Sequence, residues 1–579
     1  MIVRLVTSFF VWATCAVLAG SSLIAQSPDL ILHHGKIVTV DAKFSIAQAV
    51  AVRDGRIVRV GSNHDVLGLK TAATRVVDLG GKPVLPGLID SHVHPADASM
   101  IEFDHAIPEM ESIQDVLDYI RGRAALLKEG EWIQVRQVFI TRLREQRYPT
   151  RDELDRAAPR HPVMFATGPD ASLNSLALKL SGMDKNFQVT DGGPGHIEKD
   201  PNSGEPTGII RSCTRLVKIR QDGRQASEED RKRQLLLLFD DYLSLGLTSI
   251  GDRDASEEEI QRYRELHRDH KLKLRVSLSQ HIETIGDLEA VENSIRKVAG
   301  DPLVKGDAWL KIVGIKTYLD GGMLTGSAYM LKPWGVSRLY SITDPKYRGV
   351  LFIPRERLLP IVKTTLECGL QFTAHSQGDG AVHTLLDVYQ ELDKTRPVRQ
   401  NRPCITHSSF MSPEAVQKVA KLGVVVDLQP AWLYLDTRTL VGHFGYDRLR
   451  FFQPLRSLFQ AGAMIGGGSD HMQKIGSIRS VNPYNPFLGM WVTVTRKAKG
   501  YEGALHPEQA LSRKEAIRFY TANNAYLLFQ EKQTGSIEAG KLADLVVLDT
   551  DILKCPVDEI RNTRVLQTYV EGKLVFERK

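Results

Sequence analysis

His92 and His94, in the stretch PGLIDSHVHP (86–95), sit two apart after a short apolar run and a Pro-Gly turn. In an extended chain alternate side chains share a face, so both imidazoles can reach one ion. Taken alone, the pair fits a polar loop just as well. Further residues of related chemistry lie in other apolar, strand-like runs. His375 ends LQFTAH (370–375), His407 ends PCITH (403–407), Asp470 ends AMIGGGSD (463–470), and Lys316 lies within LKIVGIKTYL (310–319). Imidazole and carboxylate are suitable donors to zinc and similar divalent ions. A buried ammonium is costly and repels a cation. Lys316 suits such a site only as a neutral amine, or after CO2 has added to give an anionic carbamate. A structural histidine fits each position singly. The joint pattern is much more specific for a divalent-metal site, zinc being the first candidate. No GxSxG elbow offers a serine nucleophile instead.

Residues so far apart meet only if a fold gathers them. The apolar runs, which also include LTSI (247–250), LKLRVSL (272–278) and GVVVDLQP (423–430), alternate with helix-like segments such as PRERLLPIVKTTLECG (354–369) and SPEAVQKVAKLG (412–423). Each of these two helices opens with an early proline and an acidic residue. Alternation of this kind predicts an α/β fold with parallel strands, and its length suits a (β/α)8, TIM-like barrel. In that barrel the carboxyl ends of all strands converge on one face. The barrel is expected over 87–530, with a large insertion at about 96–235, too long for one crossover. The flanks, 26–86 and 531–579, read as short strands with glycine turns. They are expected to meet as one small β-sandwich domain formed by both chain ends.

Residues 1–25 read as a signal peptide: Arg4, then a nearly apolar run from Leu5 to Gly20, then small residues. Export, to the periplasm or beyond, is the expectation. An uncleaved anchor is the alternative, although the run is near the short end for a span. A net charge of +6 over 579 residues, without a Lys/Arg block, predicts no nucleic-acid partner. Cys15, Cys213, Cys368, Cys404 and Cys555 are too widely spaced for a disulfide scaffold or a Cys-rich zinc site.

The stretches GKPVLPGLIDSHVHP, LNSLAL (173–178), GEPTGII (204–210), LGLTSIGD (245–252), IKTYLDGG (315–322), TAHSQGDGAV (373–382), ITHSSFMSP (405–413), GGSDHM (467–472) and IEAGKLADLVVLD (537–549) go together. The chain resembles the amidohydrolase superfamily, in its family 3 branch of YtcJ-like and N-substituted formamide deformylase-like metal-dependent hydrolases. The resemblance spans nearly the whole chain after the leader. It implies that His92 and His94 bind the more buried metal, and His375 and His407 the second. Lys316 is then the bridging residue, carboxylated in some members. Asp470 binds metal and shuttles the proton, so the catalytic set is Asp470, Lys316 and His407. Asp320 and Asp379 occupy positions that orient ligands or substrate; capping or turn roles fit them too. A homodimer is what the family suggests.

The implied reaction is hydrolysis of a non-peptide C–N bond, an amide or cyclic amide, in a small molecule. An ester or lactone hydrolase and a deaminase could use the same site. A binding protein on a degenerate barrel is the non-enzymatic alternative. Trp432, Tyr434, Tyr484, Phe487 and Trp491 fall where late loops line a barrel mouth, as an apolar wall or as packing. Arg479 and Asn482 could meet a polar part of the substrate. Three departures from the family pattern stand out. Pro169 replaces an expected pocket histidine, SQGD follows His375 where Ala-Ile is more usual, and SSF follows His407.

Overall fold

The computed structural model describes residues 27–136, 138–220 and 225–579. The expected leader lies outside them. Eight strands pair side by side, every pair parallel: β1 (Leu88–Val93), β2 (Leu247–Ala255), β3 (Arg275–His281), β4 (Leu310–Tyr318), β5 (Gln371–Ser376), β6 (Cys404–His407), β7 (Val425–Leu428) and β8 (Met464–Gly467). The ring closes just past β8. The Asp470 N–H donates to the His92 carbonyl at 2.8 Å, the His94 N–H donates to the His471 carbonyl at 2.8 Å, and Val93 bridges His471 in parallel. This is the TIM-like barrel that the alternation predicts.

Covered on both faces, β1, β6 and β7 are buried at every position, and their polar members, such as Asp90, Ser91 and His92, find partners inside. Between them run capped helices. In Pro413–Leu422 the Ser412 side chain accepts the Ala415 N–H, and Gly423 closes the helix at φ +67°. The GGG of GGGSD has a steric reason. A Cβ at Gly467 would lie 1.7 Å from the Leu428 carbonyl oxygen, and one at Gly468 would lie 1.7 Å from Asp90 Oδ1. Only glycine lets the end of β8 press against its neighbours.

The connection from β1 to β2 carries the insertion. It builds a five-stranded sheet in the order His196–Lys199, Pro206–Arg211, Asp170–Leu173, Val163–Thr167, Ile133–Val135. That sheet has its own core around Trp132, Met164, Leu173 and Ile210. The last helix of the connection, Glu228–Ser244, buries Leu235, Leu238, Phe239 and Tyr242 against the barrel core. It starts at a capping box between Ser227 and Asp230. The expected end of the insertion, 235, therefore falls inside a helix that packs on the barrel; its charged first turns, EEDRKR, conceal that allegiance in the sequence.

The two chain ends form two facing sheets. One holds Arg56–Gly61, Ala49–Arg53, Leu30–His33 and Arg75–Asp78; the other runs Lys573–Glu577, Val565–Val570, Leu545–Leu548, Pro83–Pro86, Lys36–Val38, Ile46–Ala47. Leu545–Leu548 pairs antiparallel with Pro83–Pro86, which joins the ends. Leu32, Val50, Val84, Leu545 and Tyr569 share one core between the sheets. A buried ion pair, Arg275 to Asp544 at 2.7 and 2.9 Å, ties this domain to β3.

Candidate metal centre

A cavity of about 1040 Å³ opens at the carboxyl ends of the strands. His94, Lys316, His375, His407 and Asp470 all line it, and His92 lies directly beneath, fully buried. His92 Nε2, His94 Nε2 and Asp470 Oδ1 face one another: 3.2 Å between the imidazoles, 3.3 Å from His92 to Asp470, and 3.1 Å from His94 to Asp470. Two imidazole nitrogens and a carboxylate oxygen at this spacing suit one divalent cation.

The second set lies beside the first. The rings of His375 and His407 are 4.6 Å apart, and that of His407 is 5.1 Å from His92. Lys316 is adjacent on β4, its Nζ 5.0 Å from the Tyr318 ring centre. Two members of the cluster sit in the left-handed region, His407 at φ +74° and Asp470 at φ +56°. Non-glycine residues adopt it at a cost, and such strain concentrates at functional sites.

Burial shapes the protonation states. It drives the His92 and His407 imidazolium forms well below the ordinary range, with the Lys316 charge acting the same way, and takes His375 down to about 3. These rings are therefore neutral, with lone pairs to offer. Burial also lowers Lys316, partly opposed by Asp254 and Asp470. For His94, burial is outweighed by the Asp470 carboxylate, and its pKa rises. Asp470 itself is raised, by burial more than His94 lowers it.

The remaining expected residues divide. Asp320 is buried and accepts the backbone N–H groups of Tyr329, Gln377 and Gly378 at 2.8 to 2.9 Å, with His375 Nε2 at 3.8 Å. It shapes the loop floor beside His375, though it also reaches the cavity. Asp379 starts a helix and accepts the Leu331 N–H at 2.7 Å; it is not among the cavity-lining residues. Arg479 is half exposed and ion-paired with Glu102, also off the cavity. Asn482 is fully buried; its amide donates to the Asp470 carbonyl at 2.7 Å, so it meets Asp470 and not the cavity. Trp432 is a cavity wall, edge-on to His407 at 6.3 Å. Tyr434 and Trp491 pack on each other, and Tyr484 packs on His471 and Tyr242. His471 turns away, bonded to the Tyr242 hydroxyl at 2.7 Å. Pro169 lines the cavity with Ser212, Thr214 and Arg215 from the inserted lobe.

Two groups escape sequence reading. Asp254, at the end of β2, accepts the Tyr318 hydroxyl at 2.6 Å and pairs with His281 Nδ1 at 2.8 Å; all three line the cavity. Asp254 raises the His281 pKa. The only available signal was that SLSQH and GDRDA also close strand-like runs. Asp427 and Gln429 lie beneath the imidazoles, where nothing in VVVDLQP marks them as special.

An amidohydrolase family pattern matches residues 75–576. The chain belongs to the amidohydrolase family. It is similar to an N-substituted formamide deformylase of Arthrobacter pascens, 30% identical over 578 residues, covering 96% of this chain and 99% of that protein. In structure it resembles a metal-dependent hydrolase from Pyrococcus horikoshii (TM-score 0.65, 22% identity, 91% of this chain and 99% of that one). It also resembles a zinc-bound adenosine deaminase from Xanthomonas campestris (TM-score 0.53, 14% identity, 95% and 93%). Family membership and the gathered donors make this a metal-dependent hydrolase acting on carbon–nitrogen bonds other than peptide bonds.

Proposed function

We propose that the protein hydrolyses an N-substituted amide, formamides included, in which a small acyl group meets the metal centre and an apolar substituent on nitrogen fills the outer cavity. The observation that carries this is the meeting of His92 Nε2, His94 Nε2 and Asp470 Oδ1 at the base of a roomy cavity. The deformylase relative supports the choice of formamides. Ile101, Phe139, Met164, Leu324, Trp432 and Met472 supply the apolar wall. With Pro169 in place of a pocket histidine, the inserted lobe offers less polar recognition, which suits an apolar group.

His92, His94 and Asp470 would hold one zinc ion; Lys316, His375 and His407 would complete a site for a second. Burial favours the neutral Lys316 amine, the form that could add CO2 with loss of a proton to solvent and so offer an anionic carbamate to the cations. A divalent cation held there supplies Lewis acidity, acidifying water and polarising the carbonyl. Asp470, whose Oδ1 faces the cation site, takes the proton of the attacking water on Oδ2 and returns it to the leaving nitrogen. His281, held by Asp254, presents a polar edge to the rest of the substrate. Export of the mature chain is part of the same proposal, supported by the apolar leader.

The test is metal analysis of the purified mature protein, then rates on N-alkyl formamides, larger N-acyl amines, cyclic amides and lactones before and after chelation. Zinc-dependent release of amine from the formamides is expected. Turnover confined to lactones, or unaffected by complete metal removal, rejects the proposal.

A further inference from the structure

One buried side chain touches both ligand groups. Gln429 Oε1 lies 2.7 Å from His407 Nδ1. Its Nε2 lies 3.1 Å from the Asp427 carbonyl oxygen, 3.3 Å from Asp427 Oδ1, and 3.4 Å from His92 Nδ1. The Asp427 carboxylate has its other oxygen, Oδ2, 3.3 Å from His92 Nδ1 and 3.5 Å from Arg253 Nε. Ser91 Oγ donates to Oδ1 at 2.7 Å. Asp427, Gln429, Ser91, Arg253 and His92 are all fully buried.

A carbonyl oxygen carries only lone pairs, so the atom of Gln429 that faces the Asp427 carbonyl must be the NH2. The amide therefore cannot turn over, and its oxygen must face His407. An oxygen there requires the His407 proton on Nδ1. His407 Nε2 is then left with its lone pair, free to face a cation. His92 differs: its Nδ1 faces the Gln429 NH2, a donor, as well as an Asp427 oxygen, an acceptor, so these contacts do not fix its tautomer.

We infer that the Asp427 backbone carbonyl, by fixing the orientation of the Gln429 amide, sets the tautomer of His407 and so prepares that ring to offer Nε2 to the cation. This rests on the metal centre proposed above. Asp427 and Gln429 are positioning residues: neither offers an atom to the cation. Arg253 and Ser91 hold Asp427 in turn, so the orientation passes from the barrel interior up to its mouth. Loss of a partner behind a ligating histidine commonly weakens metal binding about 10- to 100-fold.

The experiment has two readouts. In metal-free protein labelled with 15N-histidine, the ring nitrogen shifts report which nitrogen carries the proton, with His407→Gln used for assignment. Zinc affinity is measured against a competing chelator. In the wild type, His407 is expected to be protonated on Nδ1. Gln429→Leu should remove that preference and weaken zinc binding about 10- to 100-fold. Gln429→Glu, as the protonated acid that burial favours, donates its O–H to the Asp427 carbonyl and keeps an acceptor towards His407, and should restore most of the affinity. A wild-type His407 protonated on Nε2 overturns the inference without any variant, which covers failure of Gln429→Leu to fold. Unchanged zinc affinity in Gln429→Leu overturns it as well. Wild-type protein that binds no zinc, yet shows the Nδ1 proton, overturns the metal reading alone and leaves the tautomer relay standing.

Discussion

Replacing Asp470 by asparagine separates geometry from chemistry. The backbone bonds that place residue 470 are its N–H to the His92 carbonyl and its carbonyl from the Asn482 amide, both unaffected by the change. Asparagine has nearly the same volume and retains one oxygen near His92 and His94. It loses the negative charge and the capacity to accept a proton. A positioned general base contributes roughly 10²- to 10⁴-fold, about 3 to 5 kcal/mol of barrier. We expect Asp470→Asn to lower kcat on a formamide substrate by about that factor at saturating zinc, with KM within a few-fold and thermal stability preserved. Steady-state kinetics with zinc content measured on the same sample is the assay. A kcat within tenfold of wild type in fully zinc-loaded variant protein would refute the assignment of the proton to Asp470.

Arg275→Met leaves Asp544 buried without its partner at the junction of β3 and the end domain, and should cost about 3 to 5 kcal/mol in urea unfolding. Adding Asp544→Leu should recover most of that loss; equal stability of Arg275→Met and wild type would contradict it. Glu153 caps the helix Arg151–Ala157 and is gripped by Arg147 at 2.7 and 2.8 Å, which takes its pKa from 4.5 to about 2. A lowered carboxyl pKa stabilises the fold above the unfolded value and loses that benefit as pH falls through the folded one. Glu153→Gln should therefore cost up to about 3 kcal/mol at pH 7. The gap to wild type should narrow between pH 4.5 and 2 in a urea series, and a constant gap would show that charge is not the cause.

The strand runs were legible because parallel strands covered on both faces must be apolar, and their ends must then turn polar. LQFTAH, PCITH and AMIGGGSD each carry this signature, and His375, His407 and Asp470 stand where it predicts. The joining of the two chain ends was also legible, from short alternating strands at both termini. The insertion boundary was not, because a helix that begins with EEDRKR shows its apolar face only two turns later.

The sequence by itself determined which residues could do chemistry and that a barrel would gather them, since composition and periodicity dictate burial. Only the tertiary structure decided their partners. Asp427 and Gln429 lie 335 and 337 positions from His92 along the chain, yet 3.3 and 3.4 Å from its Nδ1. Asn482 turned out to hold Asp470, Arg479 to pair with Glu102, and Asp254 to hold His281. The physical reason is range: apolar periodicity is a local property of the chain, whereas a hydrogen bond is a matter of a few ångströms between strands whose separation in sequence carries no trace of it.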